Sequence, residues 1–198
     1  VKRFLFDPRP SLQNLAPMVG EAFAMSEASS LPAVLSLRIR TAHMRGTMIC
    51  ADNVRPAISM RERLQTPSFD YGRLSHPPST YAQEVQKFER RLPAAREYIR
   101  SRGLNQIIPG ERDDIGIILQ GGLTPTVLNV IHPLVPEEVL GFVEGKARVL
   151  VIEEGMPNFI EQELKALAYE RRLDVRIHGK DIVAAHGEYV PEVILGGV

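Results

Sequence analysis

The chain predicts an α/β fold built on a mainly parallel sheet with helices on its faces, and two observations carry that prediction. In the second half, strand-like runs at Ile115–Leu119, Thr126–Ile131, Ala147–Ile152 and Asp174–Ile177 alternate with helical patterns at Pro136–Val143 and Asn158–Arg172. Such alternation produces parallel strands joined by covering helices. In the first half, an amphipathic segment precedes the apolar run Leu31–Leu37. A helix followed by a buried strand is half of a βαβ unit.

The first helix is expected from Ser11 to about Ser29, with Leu12, Leu15, Ala16, Val19, Ala22, Phe23 and Ser26 at the helical period. Pro17 and Gly20 lie inside it and predict a kink or an early break. From about Thr47 to Pro78 periodicity dissolves among Pro56, Pro67, Gly72, Pro77 and Pro78, which reads as a linker. Ser79 then caps a second helix reaching about Arg102. Its apolar positions are Tyr81, Val85, Phe88, Leu92, Ala95 and Ile99; Pro93 should kink it and Gly103 should stop it. Lys87, Arg90, Arg91, Arg96 and Arg100 occupy the remaining, solvated face. Asn158 and Glu161 have capping-box spacing at the start of the last long helix.

One join conflicts with the pattern. Half a dozen residues, Gln120-Gly121-Gly122-Leu123-Thr124-Pro125, separate the first two strands of the second half. A parallel crossover needs roughly a dozen residues or more. Either the two strands form a hairpin, or a helix that belongs there is absent. The helical character of the other connections favours an absent helix.

Composition narrows the function classes. Lys and Arg number 24, as do Asp and Glu, so the chain is neutral. It lacks the basic excess of a general nucleic-acid or anionic-membrane binder. No apolar stretch approaches the roughly 20 residues that span a bilayer, and no signal-peptide pattern is present. The single Cys50 excludes an internal disulfide and an all-cysteine metal or iron–sulfur site within the chain. These features predict a cytoplasmic protein. The start at Val1 and the end at Gly196-Gly197-Val198 read as those of a piece of something longer.

Candidate functional residues gather in two places. Arg38-Ile39-Arg40-Thr41-Ala42-His43-Met44-Arg45-Gly46 follows a strand end, where α/β sheets keep their ligands. Strand alternation puts Arg38 and Arg40 on one face and Ile39 on the other. Arg40, Thr41, His43 and Arg45 supply guanidinium forks, a hydroxyl and an imidazole suited to a carboxylate or phosphate. The second place is the exit of the last strand, with His178, Lys180 and Asp181. Gly121-Gly122 fits neither the dinucleotide nor the P-loop fingerprint and reads as a turn. Glu153-Glu154, at a strand end without a second ligand cluster, reads as structural, as do His132 and His186. Cys50 reads as a buried small apolar residue.

Several segments in order carry a resemblance: Leu37 to Gly46, Val135-Pro136-Glu137-Glu138-Val139, Val149 to Gly155, Ile160 to Leu164, His178-Gly179-Lys180-Asp181 and Gly187 to Glu192. Together they resemble the large (alpha) subunit of the indolepyruvate:ferredoxin oxidoreductases, thiamine-diphosphate enzymes that oxidatively decarboxylate 2-oxo acids onto coenzyme A. The resemblance implies that residues 1–47 end a pyrimidine-binding α/β domain. Residues 48–112 are then a linker with one long helix over about 79–102. Residues 113–178 become a transketolase C-terminal-like domain, a Rossmann-like three-layer sandwich, and 179–198 an exit segment to a following domain. It further implies thiamine diphosphate, Mg2+ and [4Fe-4S] held by parts outside this chain. Expected partners are ferredoxin and a second (beta) subunit or fused equivalent in an oligomer.

On that reading Arg40, Thr41, His43 and Arg45 orient a 2-oxo acid, and His178 and Lys180 contact coenzyme A. No nucleophile or general base is complete in the chain, so the isolated chain is expected to be inactive. The alternatives are a non-catalytic Rossmann-like assembly module and part of a pyruvate dehydrogenase- or transketolase-type thiamine enzyme.

Overall fold

The computed structural model describes residues 4–6, 12–37, 42–55, 69–119, 128–129, 133–187, 189 and 191–196. Strand β1 (Phe4–Phe6), helix α1 (Leu12–Ser29) and strand β2 (Ala33–Leu35) open it. The two strands pair in parallel, Phe4 opposite Ala33 and Phe6 opposite Leu35, so α1 is the crossover of a βαβ unit. The helix runs through Pro17 without a break.

The buried face of α1 is rotated from the expected one. Met25 and Ser29 are buried and Met18 and Ala22 pack beside them, while Phe23 is 72% exposed and Ala16 and Val19 are also exposed. The sequence stripe was wider than the face that its partner covers. That partner is the helical segment that begins at Ser79.

This segment is three pieces in line: α2 (Ser79–Gln86), a π turn (Lys87–Arg91) and α3 (Leu92–Ser101). The irregularity sits just before Pro93, whose ring lacks an N–H and crowds the carbonyl four residues back. A wide turn absorbs that conflict without ending the helix. Leu92, Ala95 and Ile99 are buried as expected, whereas Tyr81 and Phe88 are exposed. Gly103 (φ +59°) ends α3, with the Leu104 amide donating to the Ile99 carbonyl at 3.0 Å, a Schellman closure. Met25, Leu31, Leu92, Ala95, Ile99 and Val135 form one core, so the helix after the linker packs on both the first unit and the second half.

The larger sheet has the order β3-β5-β4-β6-β7. Its strands are β3 (Gln106–Ile107), β4 (Ile115–Leu119), β5 (Leu128–Asn129), β6 (Arg148–Ile152) and β7 (Arg176–His178). β5, β4, β6 and β7 are parallel to their neighbours; β3, unforeseen in the sequence, is antiparallel to β5. Helices α4 (Pro136–Val143) and α5 (Phe159–Glu170) bring Val139, Val143, Ile160 and Leu164 against Ile118, Val149 and Val151 on one face. Leu119 and Ile152 face the other way and meet Val183, Tyr189, Val193 and Ile194, the last two in α6 (Pro191–Leu195). The result is an α/β, Rossmann-like fold with apolar packing on both faces of a mainly parallel sheet.

β4 and β5 pair in parallel, Ile118 opposite Leu128, which removes the hairpin alternative for the short join. Gly121-Gly122 and the rest of that join lie outside the described residues. The strand order reverses between β4 and β6, so the carboxyl ends of those strands form the edge where open α/β sheets hold their ligands.

Candidate functional site

Directly beyond the end of β6, a polar network joins the start of α5 to the turn after β7. Its centre is Glu153, 6% exposed, which follows the last residue of β6. Its Oε2 accepts from the backbone amide of Ile160 at 2.9 Å and from that of Glu161 at 3.5 Å. Glu153 therefore caps α5 from outside the helix, a place where a negative charge also meets the positive end of the helix dipole. Burial pushes its carboxyl above the usual carboxylate range; the amide bonds and Lys180 act against that rise.

The expected capping box is corrected by this arrangement. Asn158 makes no side-chain bond to the helix amides; its Nδ2 donates to Glu161 Oε2 at 2.8 Å. Glu161 turns instead toward the β7 exit, where its Oε2 accepts from the Lys180 amide at 3.1 Å, while Oε1 takes Lys165 Nζ at 2.6 Å. Burial raises the Glu161 carboxyl, but those three donors outweigh it and leave the group below its ordinary value.

Lys180 points inward. Its Nζ donates to the backbone carbonyl of Glu153 and to Tyr189 Oη (2.6 Å), and sits 4.7 Å from the centre of the Tyr189 ring. Tyr189, only 2% exposed, passes its own hydroxyl proton toward the Ala184 carbonyl. Next door, His178 Nδ1 lies 2.7 Å from Asp181 Oδ2, and Asp181 Oδ1 accepts from the Gly179 amide at 2.6 Å. The amide first and His178 second hold the Asp181 carboxyl below its usual value.

The sequence-predicted residues are thus divided. His178, Lys180 and Asp181 are brought together with Glu153 and Glu161. Among the described residues, no hydrogen bond or ion pair connects His43 or Arg45 with that turn, and both are exposed. Arg40, Thr41 and His132 lie outside the described residues, as does Arg38. His186 is exposed.

Cys50 is exposed, not buried, because residues 44–55 form no helix or strand and run over the surface, tied to α1 by the paired Gln13–Ile49 bonds (2.9 and 3.1 Å). Sequence reasoning missed Tyr189 and the capping role of Glu153. The available signals were an aromatic residue in a polar exit segment and an acid between a buried strand and a helix start.

The chemistry at the β7 exit is that of mutual satisfaction. No buried side-chain donor or acceptor among the described residues lacks a partner. Among the same residues no group of three His, Cys, Asp or Glu side chains is placed to hold a metal ion. With one cysteine in the sequence, these residues do not fit Mg2+ or an iron–sulfur cluster.

Comparison with known proteins shows what the chain is similar to. The chain is 28% identical over 189 aligned positions, covering 85% of its length, to the indolepyruvate oxidoreductase subunit IorA of Methanothermobacter thermautotrophicus. The IorA subunits of Pyrococcus abyssi and Pyrococcus horikoshii match at 27% and 26% over 87% of the chain. The chain is thus similar to IorA subunits at 26–28% identity.

It spans 29% of the length of these IorA subunits. In the Methanothermobacter alignment, 189 positions against 85% of 198 residues leave about twenty at which only IorA has a residue. No family profile and no solved structure matches the chain. Among the described residues, no helix is long and apolar enough to cross a membrane.

Proposed function

We propose that this chain is the connecting portion of an oxidoreductase subunit of the IorA kind, serving the oxidative decarboxylation of 2-oxo acids to acyl-coenzyme A with ferredoxin as electron acceptor. The observation that carries this reading is the similarity to IorA subunits along 85–87% of the chain, in a segment that folds as two parallel α/β units. Thiamine diphosphate, Mg2+ and the clusters belong, on this proposal, to other parts of the assembly, and a second subunit completes it. The thiamine cofactor supplies the electron sink. This chain's own contribution is binding: Arg40 and Arg45 present guanidinium forks to a 2-oxo acid carboxylate, with His43 and Thr41 as additional donors. At the β7 exit, His178 is the residue proposed to reach coenzyme A; Lys180, the other residue assigned to that contact, spends its donors on Glu153 and Tyr189.

The test is a chimera in which this span replaces the corresponding part of a Pyrococcus IorA, expressed with the partner subunit. The chimera is expected to reduce ferredoxin with indolepyruvate and coenzyme A. Arg40→Ala and His43→Ala should lower turnover while the complex still assembles. A correctly assembled chimera with no turnover overturns the enzymatic reading.

A second reading has its own observation. The buried cap at Glu153 and the inward Lys180 serve architecture, as an assembly module requires. Full activity per complex in the Arg40 and His43 variants, together with impaired assembly, favours it.

A further inference from the structure

A groove lies between the end of α1 and the face of the α2–α3 segment, with a volume of about 480 Å3. Its wall holds Arg73, Arg90, Arg91, Gln83, Gln86 and the Ser29–Ser30 turn, and no carboxylate. Three features build it. The π turn is wider than an α turn, which lets the adjacent residues Arg90 and Arg91 share one side of the helix. Gln83 Nε2 donates to the Leu74 carbonyl at 3.1 Å and Ser79 Oγ to the Tyr71 carbonyl at 3.2 Å. These bonds tie the 3-10 turn Tyr71–Arg73 to α2 and set Arg73 across the groove. Ser30, at φ +53°, closes α1 and turns the chain along the third side.

The charges on this face are not equivalent. Lys87 pairs with Glu84 at 2.6 Å and Arg100 with Glu97 at 2.5 Å. Arg96 donates to the Leu134 carbonyl at 3.0 Å and lies 4.0 Å from Glu163, bridging to the second half. Arg91 has only the neutral Gln86 at 3.2 Å, and among the described residues neither Arg90 nor Arg91 pairs with a carboxylate. Arg73 has one solvent-exposed partner, Asp70, at 3.4 Å. Guanidiniums that converge on a cavity without a carboxylate repel one another and lower the cost of admitting an anion. Their planar forks, with two amide side chains beside them, match the oxygens of a phosphate group.

We infer that this groove binds a phosphate- or pyrophosphate-bearing small molecule through Arg73, Arg90 and Arg91. The inference rests on the groove alone and is independent of the proposed enzymatic role. The probes are inorganic pyrophosphate, a nucleoside diphosphate and coenzyme A, titrated calorimetrically into the full 198-residue chain. Tighter binding of the organic ligands than of pyrophosphate identifies a site for the whole molecule; equal binding identifies a site for the phosphates. The Arg90→Gln/Arg91→Gln double variant should weaken binding at least about tenfold, as loss of charge-assisted hydrogen bonds predicts. An Arg100→Gln/Arg112→Gln control removes the same charge from residues paired elsewhere, Arg100 with Glu97 and Arg112 with Asp114 at 2.6 Å, and should bind as the parent does.

No binding by any probe, or an equal loss in the control, overturns the inference. If the double variant loses its helical circular dichroism, the single Arg90→Gln variant replaces it. Unchanged affinity in that variant counts against the site.

Discussion

Glu161 and Gly179 are in such close contact that a β-carbon added at Gly179 comes to 2.3 Å from Glu161 Oε2 and 2.5 Å from its Cδ. The carboxylate is not free to move aside, because Asn158, Lys165 and the Lys180 amide all hold it. Glycine at this position is therefore a packing requirement that links the start of α5 to the end of β7.

Gly179→Ala should destabilise the chain by about 1–3 kcal/mol, the range for overpacking a fixed site. In urea denaturation, the Gly179→Ala/Glu161→Ala pair should cost less than the sum of the two single changes. Strict additivity refutes the contact.

The Glu153 carboxyl binds its proton more tightly in the folded chain than in the unfolded one, because burial raises it from 4.5. Its contribution to stability is therefore complete below the unfolded value and is lost as pH rises through the folded one. Glu153→Gln keeps an acceptor for the Ile160 amide and removes the titration. Its stability relative to the parent should climb as pH rises from 4.5, whereas Glu153→Ala, which removes the cap, should cost about 1–2 kcal/mol. Thermal melts of the three proteins across pH decide this; a parallel set of curves rejects it.

Lys180→Met leaves the Glu153 carbonyl without its Lys180 donor and removes the charge over the Tyr189 ring. A loss of about 1–3 kcal/mol is expected, with about 1 kcal/mol for Tyr189→Phe and coupling between the two. Chemical denaturation of the double-mutant cycle measures the coupling; none means that the inward geometry of Lys180 carries no energy.

Cys50 should react stoichiometrically with a thiol reagent in the folded chain, because it is exposed. Reaction only after unfolding contradicts the surface position of residues 44–55.

The parallel β4–β5 pair is joined through residues 120–127, shorter than an ordinary helical crossover. The Methanothermobacter IorA has residues at about twenty aligned positions where this chain has none. Transplanting into this join the corresponding IorA segment should give a soluble chain with a higher melting temperature, since a right-handed crossover helix packs on the sheet. A lowered melting temperature places the extra residues elsewhere.

Much of this architecture was legible because it is local. α4 starts at Pro136 and ends at Val143 as the periodicity requires, Gly103 stops α3 through its left-handed backbone, and β6 keeps the alternation of a strand buried on both faces. What failed depended on partners distant in sequence. Phe23 has the hydrophobicity of a core residue, but α3 covers the neighbouring face of α1. Asn158 has the spacing of a cap, but Glu153, five residues earlier at the exit of β6, reaches the helix amides first. In the candidate site, the sequence placed His178, Lys180 and Asp181 at a strand exit. It held no sign that Lys180 turns inward, because that direction is set by Tyr189 and a backbone carbonyl that only folding brings near.

By itself, then, the sequence determined the α/β class, the helix stops and the similarity to IorA, all of which are written in residue type and spacing. Tertiary structure alone decided the parallel pairing of β4 with β5, the cap on α5, the exposure of Cys50 and the convergence of Arg73 with Arg90 and Arg91. Each of those depends on which surfaces meet, and burial, charge pairing and hydrogen-bond satisfaction acquire their values only once the surfaces are in contact.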